Sequence, residues 1–180
     1  LGVVEIFGGE AGATQFAIRR RLKAGRNCDL VTGAGLTDPT QVETMPTYVR
    51  THTPLVIVTG PPCTSSSPWG RFSKVKDFST WQASRRIGGV VAGACLRAFQ
   101  LQVTCGRHFL CENPDGSSIW DDEPLRPHWE VIRSTLLKCP HVDVRMHDVT
   151  FPQCAVGLVH PTTGEPARKH TTIRSSCRAL

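Results

Sequence analysis

Cys63 stands in the run Gly60-Pro-Pro-Cys-Thr-Ser-Ser-Ser-Pro-Trp-Gly70, directly after the aliphatic stretch Leu55-Val-Ile-Val-Thr59. A thiol kept only for packing more often sits inside an apolar run. Here prolines stiffen the approach, and hydroxyls and basic residues follow. That is the setting of an exposed nucleophile whose thiolate nearby positive charge would favour. The plainer alternative is a rigid Pro-rich loop with a bystander cysteine. Glu112, in Cys-Glu-Asn-Pro, follows another short apolar run, where a partly desolvated carboxyl can hold or share a proton. By itself it reads better as the cap of the following turn. A third turn, Phe7-Gly-Gly-Glu-Ala-Gly12, also follows an apolar run. Its glycines would let the backbone approach a ligand, and a helix opening there would turn N–H groups toward an anion such as a carboxylate. A tight structural turn explains it equally. Glu5, just before, either pairs with a ligand cation or faces solvent.

These turns need elements to hold them. Gly2 to Phe7 predicts a strand, Ala11 to Ala24 a helix, and Cys28 to Thr32 a second strand closed by Gly33 and Gly35. Asp38-Pro39 is a helix start, Asp as cap and Pro in the first turn, so Pro39 to about His52 is read as helical, with Pro46 a threat to its continuity. Leu55 to Thr59 is wholly β-branched or aliphatic, which suits a strand buried on both faces of a parallel sheet. Gly60 to Phe78 reads as loop, and Ser79 to about Leu101 as the clearest helix, with Ile87, Val91, Ala94, Ala98 and Leu101 at helical spacing. His108 to Cys111 predicts a strand, Trp129 to Leu137 a helix, and Val142 to Met146 and Thr171 to Ser175 further strands. Strands alternating with helices predict a Rossmann-like, doubly wound, mostly parallel α/β sheet. Ligands bind such sheets at the carboxyl ends of the strands, where residues 7–12, 60–70 and 112–118 fall. No internal repeat or low-complexity segment is present.

The residues then resemble a family. Gly60, Pro61, Pro62, Cys63, Ser67 and Gly70 fall in register with the Gly-Pro-Pro-Cys-Gln-x-Phe-Ser-x-x-Gly signature of DNA cytosine-5 methyltransferases. Glu5-Ile-Phe7-x-Gly9-x-x-Gly12 is similar to that family's Asp-Leu-Phe-x-Gly-x-Gly-Gly turn, which binds S-adenosylmethionine, and Glu112-Asn113 resembles its Glu-Asn-Val motif. The resemblance covers about residues 3–114, in the family's order. It implies a methyltransferase fold over 1–180, with a cofactor half to about residue 60, a catalytic half from 60 to about 150, and no separate target-recognition domain. It implies that Cys63 attacks C6 of a cytosine in DNA while Glu112 holds the Watson–Crick edge and helps protonate the ring, so that C5 takes the cofactor's methyl group. The base must first leave its stack. The cofactor would lie against Glu5, Phe7, Gly8, Gly9, Gly12, Pro61 and Pro62, with Asp29 or Asp38 at its ribose or adenine. Ser67, Arg71, Lys74 and Lys76 would lie near the DNA phosphates.

There are departures. Thr64 replaces the family's Gln, Ser66 its Phe and Ala11 one of its glycines; Phe151-Pro-Gln-Cys-Ala-Val-Gly157 only echoes its Gln-Arg-x-Arg element and lacks the arginines. They motivate an alternative, a catalytically inactive nucleic-acid-binding relic of the same fold. Pro-Pro-Cys63-Thr, Gln153-Cys-x-x-Gly-Leu158 and Gly164-x-Pro-x-x-Lys169 together resemble a divergent branch of methyltransferase-like domains carried in mobile-element polyproteins.

Composition fits this without choosing it. The chain has 180 residues, 21 Lys+Arg against 15 Asp+Glu and a net charge of +6, compatible with a polyanion such as DNA, or RNA as the other polymer. With 39% hydrophobic residues it reads as one globular domain, for which other segments of a larger polypeptide are candidate partners; disorder is disfavoured. No apolar run is expected to reach the roughly 20 residues that cross a bilayer, and no signal peptide is visible at Leu1. The 8 cysteines include no Cys-x-x-Cys, so a reduced, intracellular setting is expected, nuclear in a eukaryotic cell. Cys139, His141, His147 and Cys154 read better as ordinary core and loop positions than as a metal site. Trp69 either stacks on a base or plugs its loop, and Trp120 reads as a packing residue.

Overall fold

Short aliphatic strands with no polar face need cover on both sides, and the chain supplies it by winding helices around them. The computed structural model describes residues 1–33, 38–138, 145–166 and 168–178, without the side chains of Leu30, Pro39 and Arg71. Strands β1 (Val3–Ile6), β2 (Ala24–Cys28), β3 (Val56–Thr59) and β4 (His108–Pro114) are parallel. β6 (His170–Ser175) runs antiparallel between β4 and β5 (His147–Pro152), giving the order β2-β1-β3-β4-β6-β5. The protein is α/β, compatible with a Rossmann-like fold. The expected parallel sheet is present from β2 to β4, and the β5–β6 edge makes the whole sheet mixed.

The helices are α1 (Gly12–Arg19), α2 (Pro39–His52), α3 (Gly70–Lys76), α4 (Phe78–Thr104) and α5 (Arg126–Leu137). Alternation along the strands divides them between two faces. Val4, Ile6, Ile57, Phe109 and Cys111 point into a core shared with Val42, Met45 and Val49 of α2, Leu96 and Phe99 of α4, and Trp129 and Ile132 of α5. Phe109 stacks on Phe99 at 4.4 Å, with Trp129 5.9 Å from Phe99. Deleting either phenylalanine side chain would cost about 3–5 kcal/mol. Glu5 points the other way, toward α1.

Several predicted boundaries move, each for a local reason. α1 stops at Arg19 instead of running to Ala24, because Arg21 turns left-handed (φ 59°) and Lys23 must pair its carbonyl with Gly2 and Val3 at the sheet edge. The second strand is Ala24–Cys28, one segment earlier than expected, and Leu30–Thr32 is a 3₁₀ turn closed by Asp29 Oδ1 and the Thr32 hydroxyl. α2 matches its expected bounds and runs through Pro46 unbroken. The Gly60–Phe78 loop contains α3, and α4 begins at Phe78, capped by Asp77. Hydrogen bonds from the Thr80 hydroxyl and amide and the Ser79 hydroxyl hold that carboxyl down at about 2. β4 runs on to Pro114 because β6 pairs with it there, which puts Glu112 inside a strand. The predicted strand at Val142–Met146 lies mostly outside the described residues; β5 begins at His147.

One helix is longer and more apolar than the sequence reading expected of any run. α4, at 27 residues, is long and apolar enough to cross a bilayer by length and composition. Its residues from Val91 to Val103 are largely buried in the protein core.

Candidate active site

Sheet register brings the three turns together. Ile6 pairs with Thr59 and Thr59 with Cys111, so the next residues, Phe7, Gly60 and Glu112, form one row across the carboxyl ends of β1, β3 and β4. A Cβ built on Gly60 would lie 3.3 Å from the Phe7 carbonyl and 3.8 Å from Glu112 Oε2. The chain leaves β1 toward β2 on one side and returns to β3 on the other, so this row straddles the switch point where such sheets open a crevice.

The first turn is tightly wound. Phe7, Gly9 and Ala11 all have positive φ, of 61°, 53° and 62°. For Phe7, a bulky side chain in the left-handed region, this is a strained conformation of the kind that collects at ligand sites. Glu5 does not face solvent. It is buried, and its carboxylate accepts from the Ala13 and Thr14 amides, at 3.3 and 2.8 Å. The α1 N-terminus therefore already has its anion. Gly8 packs directly on the Glu5 side chain, so a Cβ there would overlap it, whereas Gly9 and Gly12 open into free space.

Asp29, directly after β2, holds the turn from the side. Its Oδ2 accepts from the Gly9 amide at 2.9 Å and its Oδ1 from Val31 at 3.1 Å, while Asn27 Nδ2 donates to the Gly9 carbonyl at 3.0 Å. Asn27 Oδ1 and Thr14 Oγ1 are buried with no hydrogen-bond partner. Asp38 caps α2 through Thr40, whose hydroxyl and amide lower its carboxyl below the usual range.

The second turn is pinned from below. Asn113 Nδ2, buried, donates to the Pro61 carbonyl at 2.8 Å, and Ser118 N donates to Ser66 O at 2.8 Å. The Ser66 and Ser67 amides both reach the Cys63 carbonyl, at 3.1 and 2.8 Å, and Gly70 N closes on Ser67 O. Ser67 is thus a buried turn residue, and Gly70 fits only because it lacks a Cβ, which would sit 2.8 Å from Ser65 O. Cys63 itself is half-buried and free of any disulfide. Among the buried thiols, burial raises Cys28 and Cys95 and pushes Cys111 up to about 12. Pro62 borders a cavity of about 500 Å³ with Ser65, Ser66, Arg86, Gly89 and His128. Arg85 and Arg97 also line it but are ion-paired with Asp122 and Glu43.

Glu112 is the best-defined group. Oε1 accepts from the Thr171 hydroxyl and from Gln153 Nε2 at 3.3 Å, which leaves Oε2 toward Gly60. The carboxylate borders an open groove of about 410 Å³ whose other walls are Phe151, Gln153, Val156, Leu158, Thr171 and Ile173. Gln153 and Thr171 are the residues that reading the sequence missed as part of this site; the Gln153 segment was visible only as an echo. Lys74 lies 4.9 Å over the Trp81 ring, and Lys76 lines a small pocket with Thr64 and Trp81. The Arg71 side chain lies outside what is described. Trp69 is exposed, while Trp120 packs against Trp129 and Arg174. Among the described residues no cluster of three metal-ligating side chains occurs, and Cys139 and His141 lie outside them.

No family model and no curated protein matches this chain.

Proposed function

We propose that the protein transfers a methyl group from S-adenosylmethionine to C5 of cytosine in DNA, through a covalent adduct between Cys63 and C6. The observation that carries this reading is the single row of Phe7, Gly60 and Glu112 at the switch point, which puts the start of the cysteine turn beside the acid at the carboxyl ends of the parallel strands. The methyltransferase version of the α/β fold is part of the same proposal.

The residues fit the cofactor. Gly9 and Gly12 leave open space beside the turn, Asn27 Oδ1 is a buried acceptor without a partner, and Asp29 stands 20 residues after Gly9, the separation at which an acid reaches a ribose hydroxyl. Glu5 and Gly8 shape this site from beneath. When bound, the cofactor supplies an electrophilic methyl group. The chain does the rest. The Cys63 thiolate adds to C6, and electron density moves to C5. Glu112, anchored through Oε1, presents Oε2 to the ring edge and supplies the proton that lets the base accept the pair. Once C5 has taken the methyl group, with the sulfonium leaving as a neutral thioether, C5 gives up its proton to water, and the bond to sulfur breaks, restoring the thiolate and the aromatic ring. The groove beside Glu112 offers apolar walls from Phe151 and Ile173 and an amide from Gln153 to a base out of its stack.

The test is methyl incorporation into DNA, together with covalent trapping on 5-fluorocytosine DNA, whose C5 cannot release a proton. The parent is expected to do both and Cys63→Ser neither. Methylation by Cys63→Ser at the parent's rate would falsify the mechanism. A second reading, a nucleic-acid-binding relic without activity, draws on the basic and aromatic α3, which needs no thiol. Under it, salt-sensitive DNA binding persists with no incorporation.

A further inference from the structure

α3 turns its apolar residues outward. Trp69, Phe72, Val75 and Phe78 recur at three-residue spacing through and beyond it and are 75%, 69%, 89% and 54% exposed. A surface helix ordinarily turns such a stripe to the core, and contiguous exposed apolar surface marks a place where something binds.

The rings come in pairs. Trp69 and Phe72 lie 5.7 Å apart, as do Phe78 and Trp81, each pair tilted by 35° or less. Lys74 and Lys76 fall between the pairs, with Lys74 over the Trp81 face. The one carboxylate between residues 69 and 81, Asp77, is turned to Ser79 and Thr80 as the cap of α4.

Exposed aromatic faces interleaved with ammonium groups match an unpaired polynucleotide: bases stack on rings and phosphates meet the lysines. A duplex keeps its base faces covered. A second copy of this surface would set Lys74 and Lys76 against their own like charges. We propose that the Trp69–Trp81 surface is a stacking platform for single-stranded DNA, leading an unpaired strand to the Cys63 turn that begins the same segment. This rests on the nucleic-acid substrate of the proposed function, not on methyl transfer.

The test is fluorescence anisotropy with a labelled oligothymidylate, the matching duplex and an oligouridylate, with circular dichroism to verify that each variant folds. The single DNA strand is expected to bind about tenfold or more tighter than the duplex. Trp69→Ala with Phe72→Ala should weaken it about 10- to 100-fold with the salt slope kept. Lys74→Ala with Lys76→Ala should lower that slope by about 1.4, at roughly 0.7 per phosphate contact. Equal binding of strand and duplex, or binding untouched by the ring variant, overturns the platform. So does tighter binding of the oligouridylate, or self-association that the ring variant abolishes while oligonucleotide affinity stays put. Methyl transfer measured beside these separates the two claims: binding as expected without incorporation overturns the activity alone, and incorporation with binding indifferent to the rings overturns the platform alone.

Discussion

A carboxylate that must both hold a base and move a proton works only if its position is fixed. Glu112 has one oxygen held by Thr171 and Gln153 and the other turned to the crevice. Glu112→Gln should therefore cost methyl transfer two to four orders of magnitude, the usual worth of a positioned acid–base group, with cofactor affinity unchanged in a calorimetric titration. Thr171 acts through Glu112 and is a positioning residue. Thr171→Val should lower kcat several-fold with little change in KM, and Thr171→Ser should restore it; failure of the serine to rescue would assign Thr171 to sheet packing instead. Glu112 and Cys63 could be singled out as candidates from the sequence, since each follows an aliphatic run and has chemistry its surroundings do not need. The partners of Glu112 were not legible, because they lie 41 and 59 residues away and only the β6 pairing brings them over.

At the scale of elements, the β1–α1 turn combines two kinds of glycine. Gly8 packs on the Glu5 carboxylate that caps α1, and Gly12 faces open space. Gly8→Ala should push Glu5 off the Ala13 and Thr14 amides, lowering the melting temperature by several degrees and abolishing cofactor binding. Gly12→Ala should leave the melting temperature within about a degree. Equal melting losses from both would mean that Glu5 is not what supports the turn. Elements announced by their own local chemistry were legible: α2 by Asp38-Pro39, and β3 by its unbroken Val-Ile-Val. α3 was not, because its apolar positions point to solvent and leave no core-facing pattern to detect. The second strand was misplaced for the opposite reason, since Leu30 and Val31 look like strand while Asp29 and Thr32 close them into a turn.

At the scale of the molecule, the core carries thiols that cannot ionise in place. Burial pushes Cys111 up to about 12 from an ordinary 9.0 and raises Cys95 well above it. A folded value above the unfolded one means that this stability is fully present below about pH 9 and is lost as pH rises toward 12. The urea midpoint should fall through that window, and less steeply in a Cys95→Ala, Cys111→Ala variant; identical slopes would contradict it. The α/β class was readable from alternating strands and helices. The antiparallel edge was not, because β5 and β6 are rich in polar residues and their direction and register are set by β4 and each other.

That edge also fixes when the Glu112 carboxylate gains its hydrogen-bond donors. Thr171 is made 59 residues after Glu112, an interval of about 3–12 s at roughly 5–20 residues per second on the ribosome. Until then β4 has no partner on that side, and the carboxylate has neither its hydroxyl nor its amide donor. The nascent chain can wind β1 to β4 and close the crevice floor while the acid is still unheld. Under the proposed function, competence for chemistry would wait for the strand that completes the sheet.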